Sequence, residues 1–207
     1  MTEKFGKNYF YGRIDSNYIN YEKMNASKYF NSVICFLKNQ RLGKILDAGC
    51  AFGLLLRELR PFFDELYGFD ISSYAIKRAK KIAPEANLKI ADLNEELPYR
   101  DNIFDCITVF DVLEHTKKFE ESFKRLTRKL KKGGYLIISV PIDNWFTNII
   151  AFLDNDKTHF SILREKEIIQ IVKRNNLKII SKKHSITVPI FYRIPYVPGS
   201  LELILRK

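Results

Sequence analysis

The sequence predicts an α/β protein whose sheet is mostly parallel and is covered by helices on both faces. From about residue 41, short apolar or β-branched runs alternate with stretches of helical periodicity. Near the end of the chain, two strand-like runs follow each other without a helix between them. Strand–helix alternation requires right-handed crossovers, whereas two adjacent strands can pair antiparallel. Together the two patterns predict a parallel sheet with an antiparallel pair near its end.

Each element is predicted from the spacing of its apolar residues. The strands are apolar runs bounded by polar or turn residues, at 44–48, 65–69, 88–90, 104–110, 135–140, 177–188 and 200–206. The helices have apolar residues every three or four positions, at 21–38, 53–61, 73–83, 118–131 and 161–175. A loop containing Pro189, Pro195, Pro198 and Gly199 is expected to join the last two strands.

Length and composition indicate one globular domain. The 207 residues are 46% hydrophobic and 29% charged, which is ordinary for a folded chain. We expect a single domain over 1–207, with a helical, aromatic-rich region at 1–40 and a core at 41–207. The net charge of +11 fits either a lysine-rich solvated surface or attraction to nucleic acid or acidic ligands. The scattered positions of the basic residues favour the first explanation.

Cysteine spacing and hydropathy argue against a zinc or dithiol protein, a secreted protein and a membrane protein. No two of the three cysteines, Cys35, Cys50 and Cys106, have C-x-x-C spacing, which argues against a structural zinc site or a redox dithiol. The first residues lack the apolar stretch of a signal peptide, and no apolar run reaches the roughly 18 residues of a membrane span. We therefore expect a cytoplasmic protein with no membrane partner.

Glycines or carboxylates follow the first three predicted strands at the points where they end. Gly49 and Gly53 follow the first strand, Asp70 follows the second, and Asp92 follows the third. Glycines let the backbone turn sharply and approach a ligand, and a carboxylate about 20 residues further on can accept hydrogen bonds from ribose hydroxyls. Structural explanations remain open: a tight turn for the glycines, a helix N-cap for Asp70 and a turn for Asp92.

These residues and their neighbours resemble the motifs of class I S-adenosylmethionine-dependent methyltransferases. The matching segments are 46–53, 68–72, 91–93, 104–107, 111–115 and 130–136. The sequence is particularly similar to the small-molecule branch that includes the ubiquinone-biosynthesis O-methyltransferases. The resemblance implies a Rossmann-like three-layer sandwich with a seven-stranded sheet in the order 3-2-1-4-5-7-6, the last strand antiparallel. It also implies S-adenosylmethionine as cofactor and S-adenosylhomocysteine as product.

The resemblance also implies which residues bind the cofactor. They are Asp47, Ala48, Gly49, Cys50 and Gly53 near the methionine end and the sugar, Asp70 at the ribose, Ile71 on the adenine, Asp92 and Leu93 at the adenine amine, and Phe110 and Asp111 beside the methionine. One departure is Ala51, where the family loop usually has glycine. Because alanine is expected to keep a negative φ, we expect a slightly altered loop.

A short helix predicted after the fourth strand carries Asp111, Glu114 and His115 on one face. Two carboxylates and an imidazole can ligate a divalent metal, and His159 could add a ligand. Asp111 as N-cap with Glu114 three positions later would equally form a capping box, so we expect no metal. His115 or His159 is a candidate general base, although His159 could instead be a structural loop histidine.

Two aromatic segments are candidates for covering the substrate. One contains Tyr9, Phe10, Tyr11, Tyr18 and Tyr21, and the other, at 141–160, contains Trp145, Phe146 and Phe152. They could form a lid that excludes water or could pack as core beneath loops. Neither is large enough to be a separate recognition domain, which favours a small-molecule acceptor methylated on O, N or C. An RNA or protein methyltransferase and a non-catalytic cofactor-binding protein are the alternatives.

Overall fold

The apolar runs of the sequence form eight strands of one sheet in the described part of the chain. This computed structural model describes residues 4–16, 18, 20–40, 42–150, 156–188 and 192–207. The strands are β1 Leu42–Ala48, β2 Phe63–Asp70, β3 Asn87–Ile90, β4 Phe104–Phe110, β5 Leu130–Pro141, β6 Lys178–Val188, β7 Tyr192–Pro195 and β8 Ser200–Arg206. Their order is β3-β2-β1-β4-β5-β8-β6-β7.

The strand directions confirm the predicted fold class. β1 pairs in parallel with β2 and β4, β2 with β3, and β4 with β5. β8 runs antiparallel to both of its neighbours, β5 and β6. The predicted order 3-2-1-4-5-7-6 therefore holds, with β8 in the place of the seventh strand.

The eighth strand was not predicted. β7 pairs antiparallel with β6 in the segment that the prolines marked as a loop, so Tyr192–Pro195 corrects that prediction. β7 is the edge strand of the sheet. Proline has no backbone N–H, and an edge strand tolerates it because one side of the strand has no neighbouring strand to bond.

Helices flank the strands in the described residues. They are α1 Lys7–Phe10, α2 Ala26–Tyr29, α3 Asn31–Leu37, α4 Leu54–Leu59, α5 Ser73–Ile82, α6 Phe119–Lys129, α7 Trp145–Ile150 and α8 Glu165–Arg174. The single helix expected at 21–38 is wrong, because Asn25 accepts a hydrogen bond from the Lys28 backbone N–H and starts α2 as a new helix. In the residues described, no helix has both the length and the apolar character needed to cross a bilayer.

Two apolar clusters sandwich the sheet. On one face, α3, α4 and α5 bury Val33, Leu56 and Ile76 together with N-terminal aromatic residues. On the other face, α6 and α8 bury Phe123 and Val172. The predicted three-layer arrangement is confirmed. With both faces covered, the carboxyl ends of β1 to β4 are left as the edge at which a ligand can enter.

Candidate functional site

The loop after β1 is held in an unusual backbone conformation. Gly49, Ala51 and Gly53 all have positive φ, at 73°, 46° and 73°. A Cβ atom on Gly49 would lie 2.3 Å from Cγ2 of Val112, so this position has no room for a side chain. The expectation of a negative φ at Ala51 is wrong: alanine takes the left-handed conformation that glycine would adopt here, at a cost of roughly 1–2 kcal/mol.

Asp70, at the end of β2, ties this loop to the next one. Its Oδ2 accepts a hydrogen bond from the Ala51 N–H (2.9 Å), and its Oδ1 accepts one from the Ser72 N–H (2.8 Å). Burial raises the pKa of this carboxyl to about 6, and the two N–H groups partly offset that rise. The N-cap role considered for Asp70 is wrong, because Ser72 caps α5.

A cavity of about 440 Å³ lies at this edge of the sheet. Seven of the eleven predicted cofactor-binding residues line it: Gly49, Asp70, Ile71, Asp92, Leu93, Phe110 and Asp111. Ile71 is 47% exposed, which leaves apolar surface for a ligand to cover. Asp92 also accepts a hydrogen bond from the Asn94 N–H, so its turn role and its place in the cavity coexist.

The other four predicted residues do not line the cavity. Asp47 is buried and accepts a hydrogen bond from Thr108 Oγ1 (2.8 Å), and Ala48 and Cys50 are core residues. Gly53 precedes α4, where a Cβ would lie 3.3 Å from Cβ of Ala79. These residues shape the loop and its packing.

Several lining residues were missed by the sequence prediction. Most adjoin a predicted residue in sequence: Ala51, Phe69, Ser72, Ala91, Asn94, Val112, Thr116 and Lys117. Five of them lie inside the matching segments 46–53, 68–72, 91–93 and 111–115, and the other three follow a segment by one or two residues. Phe160 follows His159 and ends the second aromatic segment, whereas Lys4 and Phe5 are distant from every motif and no local signal marks them.

The first aromatic segment forms part of the cavity wall. Tyr9, Phe10, Tyr18 and Tyr21 all line it. The Phe10 ring lies 4.8 Å from the ring of Phe52 in the cofactor loop, which anchors the segment over that loop. In the second segment, Trp145 is 71% exposed and does not line the cavity, Phe146 does not line it either, and Phe152 lies outside the described residues.

Asp111 is separated from the helix face on which it was predicted. Its φ is 54°, and its Oδ2 accepts a hydrogen bond from the Tyr29 hydroxyl (2.9 Å). The following helix is a single 3₁₀ turn, Leu113–His115, preceded by Val112 without a side-chain cap. Both the capping box and the shared face of Asp111, Glu114 and His115 are therefore wrong.

Glu114 and His115 instead meet His159. One potential metal-ligand atom of each residue lies within 4.8 Å of those of the other two. Among the described residues, this is the set that could hold a metal ion, and it does not include Asp111. The backbone carbonyl of Glu114 accepts hydrogen bonds from Phe160 N–H (2.8 Å) and Ser161 N–H (3.0 Å), which draws His159 toward the 3₁₀ turn. The His115 and His159 rings are 4.9 Å apart.

Of the two histidines, His115 lines the cavity and His159 does not. His115 Nδ1 lies 2.8 Å from the Thr158 hydroxyl oxygen and 3.2 Å from the Thr158 carbonyl oxygen. Burial, followed by the neighbouring His159, lowers the pKa of His115. The imidazole is therefore neutral at pH 7, the form in which it can accept a proton.

Comparison with known proteins decides the family. A family model described as a methyltransferase domain matches residues 22–182. The chain belongs to the class I S-adenosylmethionine-dependent methyltransferases. This methyltransferase is 30% identical, over 53% of its length and 44% of the relative's, to a ubiquinone biosynthesis O-methyltransferase of Bradyrhizobium diazoefficiens. It thus spans less than half of that relative. It is also 30% identical to an uncharacterised protein of Methanocaldococcus jannaschii, over 70% and 69% of the two lengths.

Solved structures share the fold of this methyltransferase. The YcgJ protein of Bacillus subtilis superposes with a TM-score of 0.71 at 14% identity, over 86% of this chain and 97% of that one. The N-methyltransferase NodS of Bradyrhizobium japonicum, in complex with S-adenosylhomocysteine, superposes with a TM-score of 0.67 at 16% identity, over 90% and 89%.

The cavity chemistry fits S-adenosylmethionine, the cofactor of this family. Asp70 and Asp92 offer carboxylate oxygens, and Ile71 offers an apolar surface beside them. Asp111 adds a third acidic side chain to the wall. An acidic wall suits a ligand that carries a positive sulfur, and adjoining apolar groups suit a purine ring.

Proposed function

We propose that this methyltransferase transfers a methyl group to an oxygen, nitrogen or carbon atom of a small-molecule acceptor. The observation that carries the proposal is that one cavity of about 440 Å³ is lined both by Asp70 and Ile71 and by Tyr9 and His115. The first pair belongs to the cofactor motifs. The second pair adds an aromatic wall and a neutral base to the same space.

We propose that Asp70 and Asp92 orient the cofactor from one end, while the aromatic segment keeps water out. S-adenosylmethionine supplies a methyl group whose bond to the positive sulfur breaks with the electron pair staying on sulfur. The acceptor atom forms the new bond to that methyl carbon. We assign His115 the task of taking the proton that an O–H or N–H acceptor loses and later releasing it to water.

The size of the cavity supports a small acceptor. Its volume lies in the range of ordinary small-molecule sites, and aromatic side chains contribute much of its wall. Two relatives carry names that point to small molecules: the ubiquinone biosynthesis O-methyltransferase above, and a sterol 24-C-methyltransferase of Aspergillus fumigatus, 31% identical over 97 residues. Both matches cover less than half of the relative's length.

RNA is the second candidate acceptor, because a net charge of +11 attracts its phosphates. Lysine and arginine contacts to phosphates would make RNA binding fall steeply with salt. The two candidates are separated by incubating the protein with labelled S-adenosylmethionine and either fractionated metabolites or total RNA. Label in a metabolite fraction supports the proposal, whereas label only in RNA overturns it.

The cofactor half of the proposal is tested by Asp70→Asn. Losing a hydrogen bond to a charged group is expected to weaken S-adenosylhomocysteine binding by about tenfold to a hundredfold. Asp64→Asn is the matched control, because Asp64 is an exposed carboxylate at the opposite end of the same strand. Isothermal titration calorimetry measures both. Equal affinity in the two variants would contradict the assignment of Asp70.

We further propose that transfer needs no resident metal ion. Orientation of two reactants and removal of one proton account for the chemistry, and residues of this chain are assigned to both. Support comes from Asp111, which accepts a hydrogen bond from the Tyr29 hydroxyl and is not among the described residues whose side chains could share a metal ion.

A further inference from the structure

We propose that Asp156 and Thr158 are positioning residues that place the single ring proton of His115 on Nδ1, which leaves Nε2 as the proton acceptor. The inference rests on the proposed function, because the choice of ring nitrogen matters only if His115 removes a proton. It goes further by naming the residues that prepare the base.

The first step is the contact between Thr158 and Asp156. The Thr158 hydroxyl donates a hydrogen bond to Asp156 Oδ1. A hydroxyl has one hydrogen, and an ionised carboxylate can only accept. The hydroxyl hydrogen is therefore committed to Asp156, and Thr158 Oγ1 has only lone pairs left for other neighbours.

The second step follows at His115. Both atoms that face Nδ1, the Oγ1 and the carbonyl oxygen of Thr158, now present lone pairs to it, at 2.8 Å and 3.2 Å. These contacts are favourable only if Nδ1 carries a hydrogen. A neutral imidazole has one ring hydrogen, so Nε2 keeps its lone pair and can act as base.

The third step is that Asp156 is itself held in place. Its Oδ1 accepts a hydrogen bond from the Thr158 N–H (2.9 Å), and its Oδ2 accepts one from the Tyr9 hydroxyl (2.8 Å). Burial, followed by Asp156, raises the pKa of Tyr9 well above its usual value, so the phenol keeps its hydrogen. Tyr9 lines the cavity, whereas neither Asp156 nor Thr158 does.

The four residues form a chain from Tyr9 through Asp156 and Thr158 to His115. It connects the N-terminal aromatic segment to the base, across sequence separations of 147 residues for Tyr9–Asp156 and 43 for Thr158–His115. The segment that covers the cavity therefore also orders the group that we assign as proton acceptor.

The test compares Thr158→Val with Thr158→Ser. Valine matches threonine in shape without the hydroxyl, and serine keeps the hydroxyl. The first measurement is ¹⁵N NMR of histidine-labelled protein saturated with S-adenosylhomocysteine, with His115→Gln to identify the signals of His115 among those of the three histidines. Wild type and Thr158→Ser are expected to carry the His115 proton on Nδ1, and Thr158→Val to lose part of that population. Retained S-adenosylhomocysteine binding shows that each variant is folded.

The second measurement is methyl transfer to the acceptor found in the metabolite fractions. We expect Thr158→Val to lower kcat by roughly tenfold or more while KM for S-adenosylmethionine stays within about twofold. Thr158→Ser should restore most of the rate. A purely structural role would lower both variants' cofactor affinity instead.

Three results would overturn the inference: a wild-type His115 protonated on Nε2, wild-type tautomer and kcat in Thr158→Val, or a stoichiometric metal whose removal abolishes transfer. The expected tautomer pattern without transfer to any acceptor supports the positioning of the ring and refutes the proposed function. The two failures are therefore distinguishable.

Discussion

Asp47 offers a direct test of how the buried acids at the cofactor edge affect stability. Its carboxyl is 4% exposed and accepts a hydrogen bond from Thr108 Oγ1. Burial raises its pKa from 3.8 to about 7, the Thr108 hydrogen bond opposes that rise, and nearby Asp70 adds to it. An ionised Asp47 therefore costs the folded state free energy that a neutral side chain of the same shape would not cost.

The sign and size of the effect follow from that pKa. Because folding raises the pKa, the native state holds the proton more tightly than the unfolded chain, and this contribution to stability falls as pH rises from about 4 to about 7. A rise of about three pKa units corresponds to about 4 kcal/mol once both states are ionised. At pH 5 the Asp47 carboxyl is ionised in the unfolded chain but not in the folded one. Its contribution then lowers the free energy of unfolding by less than about 2 kcal/mol.

Asp47→Asn removes this dependence, since asparagine is neutral at every pH and its oxygen can still accept from Thr108. Urea denaturation at pH 5 and pH 8 measures the free energy of unfolding of Asp47→Asn relative to wild type. We expect this difference to favour the variant by about 2–3 kcal/mol more at pH 8 than at pH 5. Any cost of an unpaired amide hydrogen cancels in that difference. Asp64→Asn should change stability by less than about 0.5 kcal/mol at both pH values. An equal gain at the two pH values would refute the reasoning.

Three further outcomes are expected at the site. Gly49→Ala should lower the free energy of unfolding by several kcal/mol, because backbone strain adds to the steric clash with Val112. The control Gly133→Ala, at a φ of 81° with open space around it, should lower it by only about 1–2 kcal/mol. Equal losses in urea denaturation would show that the clash with Val112 does not matter. His159→Ala should lower the rate of methyl transfer more than it lowers S-adenosylhomocysteine affinity, and unchanged turnover would exclude His159 from the reaction. Dialysis against a chelator should leave transfer unchanged and elemental analysis should find less than one metal per chain; loss of activity restored by one metal would contradict the proposal.

Elements with a strong local signal were predicted well. β4 was predicted within its observed bounds, and β1 and β2 differ by two residues or fewer at each end, because an apolar run flanked by turns reads directly as a buried strand. For the same reason, the loop around Gly49 follows β1 as expected, and Asp70 lies at the end of β2. Here sequence neighbours are also neighbours in space.

Predictions failed where a specific side chain overrides the average pattern. Asn25 caps α2 and so starts a new helix, although the apolar spacing around it continues. Pro195 was interpreted as loop, although an edge strand tolerates it. Asp111 was assigned to a helix face, but its hydrogen bond to Tyr29, 82 residues away, accompanies a left-handed backbone. Contacts over such separations leave no periodicity in the sequence.

Because β8 lies between β5 and β6, the sheet cannot be completed in the order in which a ribosome makes the chain. β6 and β7 are synthesised first, yet β6 has no neighbour on its inner side until Ser200–Arg206 follows. During that interval β5, with fully buried Ile137 and Ile138 in the finished sheet, is an open edge. Open apolar edges are templates for aggregation, so the nascent protein is most in need of a chaperone between the synthesis of β5 and that of β8.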